Sequence, residues 1–274
     1  MPDATAYMQE FGPWLLVFNR VLGVFLFTPL LSSSSVPMRF RALLASAFAV
    51  AVYPVVPAEF RAMPDATLAQ HATMMFGEIL IGACIGFIAG LPMIAMEMAG
   101  HLMGHQMALS LAQSYNPELD ANLNSIGSLL FFMGISAFVM MGGPETVLMI
   151  LADTFRTLPM GGFGGGNTPV DLVLGVLTSG TEIAIRVSAP AIGMIMCCMV
   201  AMGFVMKSMP QVNVLSVGFA IYIVGGLSVL TLALFAINDT LGGYMTQTLR
   251  DLWDWVWSID PGAGAGAANG GLAG

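Results

Sequence analysis

Charge is what this sequence has least of. Asp, Glu, Lys and Arg make up 9% of its 274 residues, where a soluble domain carries about 25%. Eight basic and sixteen acidic side chains cannot clothe the surface of a water-soluble protein of this length. With 57% of the chain hydrophobic, its solvent is expected to be a bilayer or a large apolar complex. Basic residues are the scarcer sign: the net charge is −8, and the densest cationic cluster is Arg39 with Arg41. Binding a phosphate backbone needs several clustered cations, which argues against nucleic acid as a partner. Cysteine is also scarce. Cys84, Cys197 and Cys198 all lie inside apolar runs, with neither metal-ligand spacing nor a disulfide framework, and are read as small buried hydrophobes. The opening residues, MPDATAYMQEFGP, hold no basic stretch; a cleaved signal peptide would have one, so the first apolar run is expected to be retained. No phosphate-binding loop and no convincing internal repeat is present.

What is there is a series of apolar runs. A helix needs about 20 apolar residues to cross the hydrocarbon core. Six runs approach this: Trp14–Leu31, Leu43–Val56, Ile79–Met98, Ile126–Met141, Pro190–Met206 and Val214–Ile237. The class they predict is all-α: integral membrane-type helical hairpins with about six hydrophobic helices, plus short amphipathic ones. Arg20 lies inside the first run, where a charge is costly unless it snorkels or pairs. The few arginines give no consistent topology by the positive-inside rule. "PETVLMILADTFRTLP", from Pro144 to Pro159, reads as a short helix. Proline suits its first position, Glu145 suits the positive end of its dipole, and Pro159 stops it.

Val170–Val187 is amphipathic at helical spacing. Asp171, Gly175, Thr178, Ser179, Glu182 and Arg186 form one stripe, and Val173, Val176, Leu177, Ile183, Ala184 and Val187 the other. Glu182 and Arg186, four apart, are placed to pair. If this segment continues into Pro190–Met206, the arm is about 55 Å long against a hydrocarbon core of about 30 Å. It then either kinks at Pro190 or extends well outside the bilayer. With the run from Val214 it forms a long hairpin over 170–257. The predicted organisation is therefore an N-terminal helical half over 1–160, a Gly-rich linker at 161–169, the hairpin at 170–257, and a disordered Gly/Ala tail at 258–274.

Candidate chemistry is sparse. Glu97, His101 and His105 are spaced by four on one helix face. Two histidines at i and i+4 can bind zinc, but the metalloprotease form needs Glu directly after the first His, and Leu102 stands there. The stripe is read instead as facing a protein interior or a watery passage. Ser32–Ser35 has no base anchored near it and reads as a turn. No catalytic, cofactor or metal set is assigned, which leaves an intramembrane hydrolase without its machinery. Gly82, Gly86 and Gly90 recur every four residues, a spacing that lets helices pack closely in a membrane. The 23 methionines read either as ordinary apolar filling or as a deformable seal. Gln106–Asn124 is polar and long for a connection. It is either an exposed surface loop or a pore-lining or plugging one, since irregular backbone at membrane depth must be buried in protein or bathed in water.

Four segments carry a resemblance to a known family. They are "NRVLGVFLFTPLLSSSSVPMRFRALLASAFAV" (Asn19–Val50), "AGHLMGHQMALSLAQSYNP" (Ala99–Pro117), "LADTFRTLPMG" (Leu151–Gly161) and "MPQVNVLSVGF" (Met209–Phe219). In this order they resemble the flagellar biosynthesis protein FliR and the corresponding component of type III secretion export gates, over nearly all of 14–245. Gly143-Pro144-Glu145 stands where that family often has Gly-His, and Ala220 and Tyr222 stand where it often has Pro and Lys.

The resemblance implies an all-helical, non-enzymatic subunit of the flagellar export gate in the bacterial inner membrane, at the flagellar basal body. It implies assembly with FliP-, FliQ- and FlhB-like subunits around a conduit for unfolded exported proteins, with membrane lipid as a further contact. It implies a plug role for the loop of Gln106, Ser110, Gln113, Asn116 and Pro117, and a FliQ-type hairpin for 170–257. At the hairpin corner, Pro210 lacks an N–H and prevents helix continuation. Gln211 and Asn213 can bond exposed backbone there or on a partner subunit; a purely structural turn is the alternative. The competing reading of the whole chain is a small polytopic secondary transporter or channel, with Glu97, His101 and Arg186 as intramembrane polar sites; such a protein would transport alone.

Overall fold

The structure is a computed structural model, and it describes residues 4–29, 37–57, 68–107, 125–161, 169–209 and 214–258. Among the described residues every regular element is a helix. These are α1 (Ala4–Phe27), α2 (Met38–Val52) with a 3-10 turn at Tyr53–Val55, and α3 (Leu68–Gln106). Then follow α4 (Ser125–Met140), α5 (Gly143–Thr157), α6 (Val170–Ser208) and α7 (Val214–Ser258). The all-α membrane-type class is observed, and the six apolar runs fall on α1, α2, α3, α4, α6 and α7. Among the described residues four helices are long and apolar enough to cross a membrane, or five if α4 and α5, broken at Gly142, count as one span. In α1, the apolar stretch among the described side chains is Phe11–Phe27.

Helix lengths exceed those of the apolar runs. Both α3 and α6 have 39 residues and α7 has 45, or about 58 Å and 67 Å at 1.5 Å per residue. Pro92 and Pro190 lie inside α3 and α6 without ending them. The Val170–Met206 arm is one continuous helical element through Pro190. The short helix α5 stops as predicted and starts one residue before Pro144: Gly142 is its N-cap, Pro144 its second residue, and Leu158 is already extended at φ −112° and ψ 107°. The residue before a proline is driven out of the α region, and Leu158 precedes Pro159.

The chain forms two compact units, one from Met1–Gly90, Gly142–Val176 and Thr246–Gly274, the other from Leu91–Met141 and Leu177–Met245. In the first unit α1 and α3 run parallel and touch backbone to backbone. A Cβ at Gly82 would fall on the Arg20 carbonyl, one at Gly86 would meet the Val24 carbonyl oxygen at 2.7 Å, and one at Gly90 would strike the Pro29 ring. On the other side, a Cβ at Gly23 would sit 2.8 Å from the Ala83 nitrogen. The predicted small-residue stripe is thus the seam of this helix pair. α2 returns against α1, with the Phe25 and Phe48 rings 5.5 Å apart.

In the second unit α3 and α4 are antiparallel. A Cβ at Gly100 would lie 2.6 Å from the Gly127 nitrogen, and one at Gly134 would lie 3.4 Å from Met93. The arms α6 and α7 are also antiparallel: Gly180 meets the Tyr244 hydroxyl and Gly225 meets the Met194 thioether. Each arm buries only a narrow stripe. On α6 it is Val176, Ala184, Val187, Ala191, Ile195 and Met202. Large apolar side chains outside the stripes, such as Val200, Phe204, Leu232 and Phe235, are exposed. The chain buries 72% of the apolar window of α3, but only 17% of that of α6 and 22% of that of α7.

Candidate functional site

Arg20 is the most sharply defined polar feature, and its environment follows from the glycine seam. Gly23 and Gly82 let α1 and α3 approach within van der Waals contact of their backbones. Arg20 and Glu78 each lie about one turn before that contact, so their side chains meet beside it. Both are fully buried. Arg20 Nε donates to Glu78 Oε2 at 2.5 Å. Its Nη1 donates to the Thr154 carbonyl at 3.0 Å and to Thr154 Oγ1 at 3.2 Å, and Nη2 donates to the Leu158 carbonyl at 3.5 Å. The guanidinium lies over the Phe155 ring, 4.4 Å from its centroid.

Each contact has a physical reason. The Thr154 and Leu158 carbonyls lie at the end of α5, where the negative end of the dipole favours a cation; the Thr154 carbonyl also accepts the Leu158 N–H. The guanidinium fork offers five donors and is the cation best suited to burial. Glu78 is satisfied at both oxygens, since Oε1 accepts the Gly161 N–H at 2.9 Å. Gly161 has φ +76°, the left-handed region that favours glycine. One ion pair thereby ties α1, α3, the end of α5 and the turn after it. Arg20, Thr154, Leu158 and Gly161 all fall in segments that carried the family resemblance. Glu78 does not, and sequence reading missed it as the partner of Arg20. The signal available was a lone acid at the head of an apolar run, in a chain nearly without charge.

The other intramembrane polar candidates behave differently. Glu97, His101 and His105 share a face of α3, as predicted, on the part belonging to the second unit. His101 and His105 are exposed and Glu97 is partly so. Glu97 Oε1 and His101 Nε2 are 3.8 Å apart. Among the described residues no group of three or more His, Cys, Asp and Glu is placed to hold a metal ion. On α6, Arg186 Nη2 donates to Glu182 Oε1 at 2.9 Å, the pairing their spacing predicted. Gln106 is the last residue of α3 and so stands at the start of the candidate plug segment. Ser110, Gln113, Asn116 and Pro117, and the corner residues Pro210, Gln211 and Asn213, lie outside the described residues, as does most of the 161–169 linker.

A family model described as bacterial export proteins, family 1, matches residues 11–248. The chain belongs to this family. The match spans both units and the Arg20 cluster. Among curated proteins, this export protein is 27% identical over 231 residues to the flagellar biosynthetic protein FliR of Escherichia coli K12, covering 81% of this chain and 85% of the relative. It is 25% identical over 239 residues to FliR of Caulobacter vibrioides, covering 87% and 93%. It is 26% identical over 215 residues to the secretion system apparatus protein SsaT of Salmonella typhimurium, covering 75% and 82%.

Proposed function

We infer that this export-family chain is a membrane subunit of a type III protein export gate, forming part of the conduit by which unfolded flagellar proteins leave across the inner membrane. The observation that carries the reading is the family match over 11–248, with relatives named for flagellar biosynthesis and for a secretion apparatus. The physical case runs in the same direction. Helices of about 58–67 Å are roughly twice the thickness of the hydrocarbon core, and most of the apolar surface of α6 and α7 is left for other molecules to cover. FliP-, FliQ- and FlhB-like subunits are the proposed cover, with lipid over the remainder. Gln106 and the segment after it, with Ser110, Gln113, Asn116 and Pro117, are proposed to obstruct the closed conduit. Pro210, Gln211 and Asn213 are proposed as a subunit-contact corner. The reading assigns the chain no reaction, and its place is the flagellar basal body.

The test is affinity purification of the tagged chain from membranes in mild detergent, beside deletion of its gene. Stable co-purification of other small hydrophobic subunits, and loss of protein export on deletion, are expected. A chain recovered alone, with export intact in the deletion strain, overturns the reading.

A further inference from the structure

We propose that the 214–241 arm of α7 is the moving part of the second unit: it swings about Gly242 and Gly243 when the gate opens, and methionine side chains re-pack to let it go. This deepens the export-gate reading and rests on it. The chain has glycine notches of two kinds. In the α1–α3 seam and at the α3–α4 crossing, glycine meets backbone. A Cβ at Gly23 would lie 2.8 Å from the Ala83 nitrogen, one at Gly86 2.7 Å from the Val24 carbonyl oxygen, and one at Gly100 2.6 Å from the Gly127 nitrogen. Backbone inside a helix has no alternative position, so these pairs are locked. On α7 the notches hold side-chain ends instead. Gly225 receives the Met194 thioether of α6, and Gly226 receives that of Met107, whose N–H still bonds the Met103 carbonyl of α3. The Met141 sulfur, just after α4, lies 4.0 Å from a Cβ at Gly242. The arm and its pivot therefore meet three neighbours through methionine, the side chain that adapts best to an irregular gap.

The other contacts of the arm are equally permissive. The hydroxyls of Ser228, Thr231 and Thr240 donate to carbonyls of α7 itself, one turn back. Leu230, Ile237 and Leu241 are its buried apolar side chains, and apolar contacts have no preferred direction. None of these bonds is directional across helices. The pivot has its own signature. Gly242 and Gly243 are adjacent inside a 45-residue helix, where glycine weakens the helix and a pair of small residues is a place for it to bend. Packing does not account for Gly243, since nothing lies within 4 Å of an added Cβ there. Past the pair, Tyr244 sets its hydroxyl against Gly180 of α6, which holds the far side of the bend. Gly226 lies 16 residues from Gly242, about 24 Å along the axis. A tilt of about 5° moves it about 2 Å, the size of the shifts by which packed helices shear. A change of methionine rotamer covers that distance, whereas the backbone contacts of Gly23, Gly86 and Gly100 cannot.

The experiment uses the assembled gate in export-competent membrane vesicles. Cys84, Cys197 and Cys198 are replaced by Ala, and two cysteine pairs are introduced separately. Met107→Cys with Gly226→Cys bolts the arm to α3. The Met107 Cγ, where the new sulfur would stand, is 2.9 Å from an added Gly226 Cβ, within reach of a disulfide. Met93→Cys with Gly134→Cys bolts α3 to α4, with Cβ atoms 3.7 Å apart. Oxidation of the first pair is expected to slow export by at least an order of magnitude, and reduction to restore it. Oxidation of the second pair is expected to leave export unchanged. Export indifferent to the 107–226 disulfide overturns the proposal, as does export stopped equally by the 93–134 disulfide. Should the first variant fail to assemble or to cross-link, methionine methyl NMR of the unsubstituted gate decides. The Met107 and Met194 methyl signals are expected to shift when an export substrate stalls in the gate, while that of Met93 stays. Unmoved signals at Met107 and Met194 overturn the proposal. Any of these failures removes the swing and leaves the gate reading standing. Undiminished export after deletion of the gene removes both.

Discussion

Glu78 Oε2 accepts the Arg20 Nε–H at 2.5 Å across 58 residues of sequence, with both side chains sealed from solvent. Such a pair is costly to bury, and its intrinsic contribution to stability is small or negative. Losing one member is a different matter. Glu78→Leu leaves a guanidinium in an apolar seam and orphans the Gly161 N–H, a loss of about 3–5 kcal/mol. Arg20→Met combined with Glu78→Leu is expected to recover much of that loss. The check is a double-mutant cycle on thermal unfolding of the purified protein in detergent. Additive losses would mean that the two side chains do not act as a pair.

Gly82→Ala and Gly193→Ala separate packing from helix propensity. Alanine is favoured over glycine in a helix by up to about 1 kcal/mol, and both positions receive that gain. At Gly193 nothing lies within 4 Å of an added Cβ, so the substitution is expected to be neutral or mildly stabilising. At Gly82 the methyl falls on the Arg20 carbonyl. Forcing α1 and α3 apart is expected to cost about 1–3 kcal/mol and to loosen the ion pair one turn away. Melting temperatures of the two variants should move in opposite directions.

Local relations were legible in the sequence and distant ones were not. The Glu182–Arg186 pair, the ends of α5 and the close-packing role of Gly82, Gly86 and Gly90 each depend on residues within about two or three turns of one another. Sequence reading saw that Arg20 must snorkel or pair, but its partner is chosen by which helix the glycine seam brings against α1. No spacing rule reports that choice. The lengths of α3 and α6 were half legible, because the apolar runs mark the greasy part of a helix and not its polar extensions. Pro190 read as a candidate kink since proline removes one backbone hydrogen bond; α6 continues through it. The plug and corner assignments rest on sequence and resemblance, as their residues, Gln106 apart, lie outside those described.

Gly161→Ala and Gly142→Ala test what holds the turn after α5. Both glycines have positive φ, +76° and +71°, so alanine at either costs about 1–2 kcal/mol of backbone strain. A Cβ at Gly142 has open space apart from the Glu145 carboxylate at 3.5 Å, whereas one at Gly161 presses on Met74 at 2.9 Å. Gly161 also holds Glu78 Oε1. The Gly161 variant is therefore expected to be the less stable in detergent melts. Gly161→Ala combined with Met74→Ala should narrow the gap.

Asn213→Leu is expected to impair gate assembly with little change in the amount of chain inserted in the membrane. Its amide can bond backbone at the corner or on a neighbouring subunit, and leucine can do neither. Quantitative co-purification of partner subunits, normalised to the tagged chain, provides the measurement. An unchanged ratio would reduce the corner to a local turn.

Leu230→Ser and Phe235→Ser divide what α7 does for its own chain from what it does for its neighbours. Leu230 is 6% exposed and Phe235 89%. Removing the buried leucine opens a cavity, costs about 2–5 kcal/mol, and should lower the stability of the isolated chain. Phe235 touches little of its own chain, so serine there should leave that stability within about 0.5 kcal/mol. If sister subunits cover this face, Phe235→Ser and Phe204→Ser weaken the assembled gate, because a large aromatic contact surface is lost from its interfaces. Mild-detergent purification should then return the Leu230 variant in low yield and the Phe235 variant in normal yield with fewer partners. Full partner recovery with both phenylalanines replaced would instead place lipid on this face of α7.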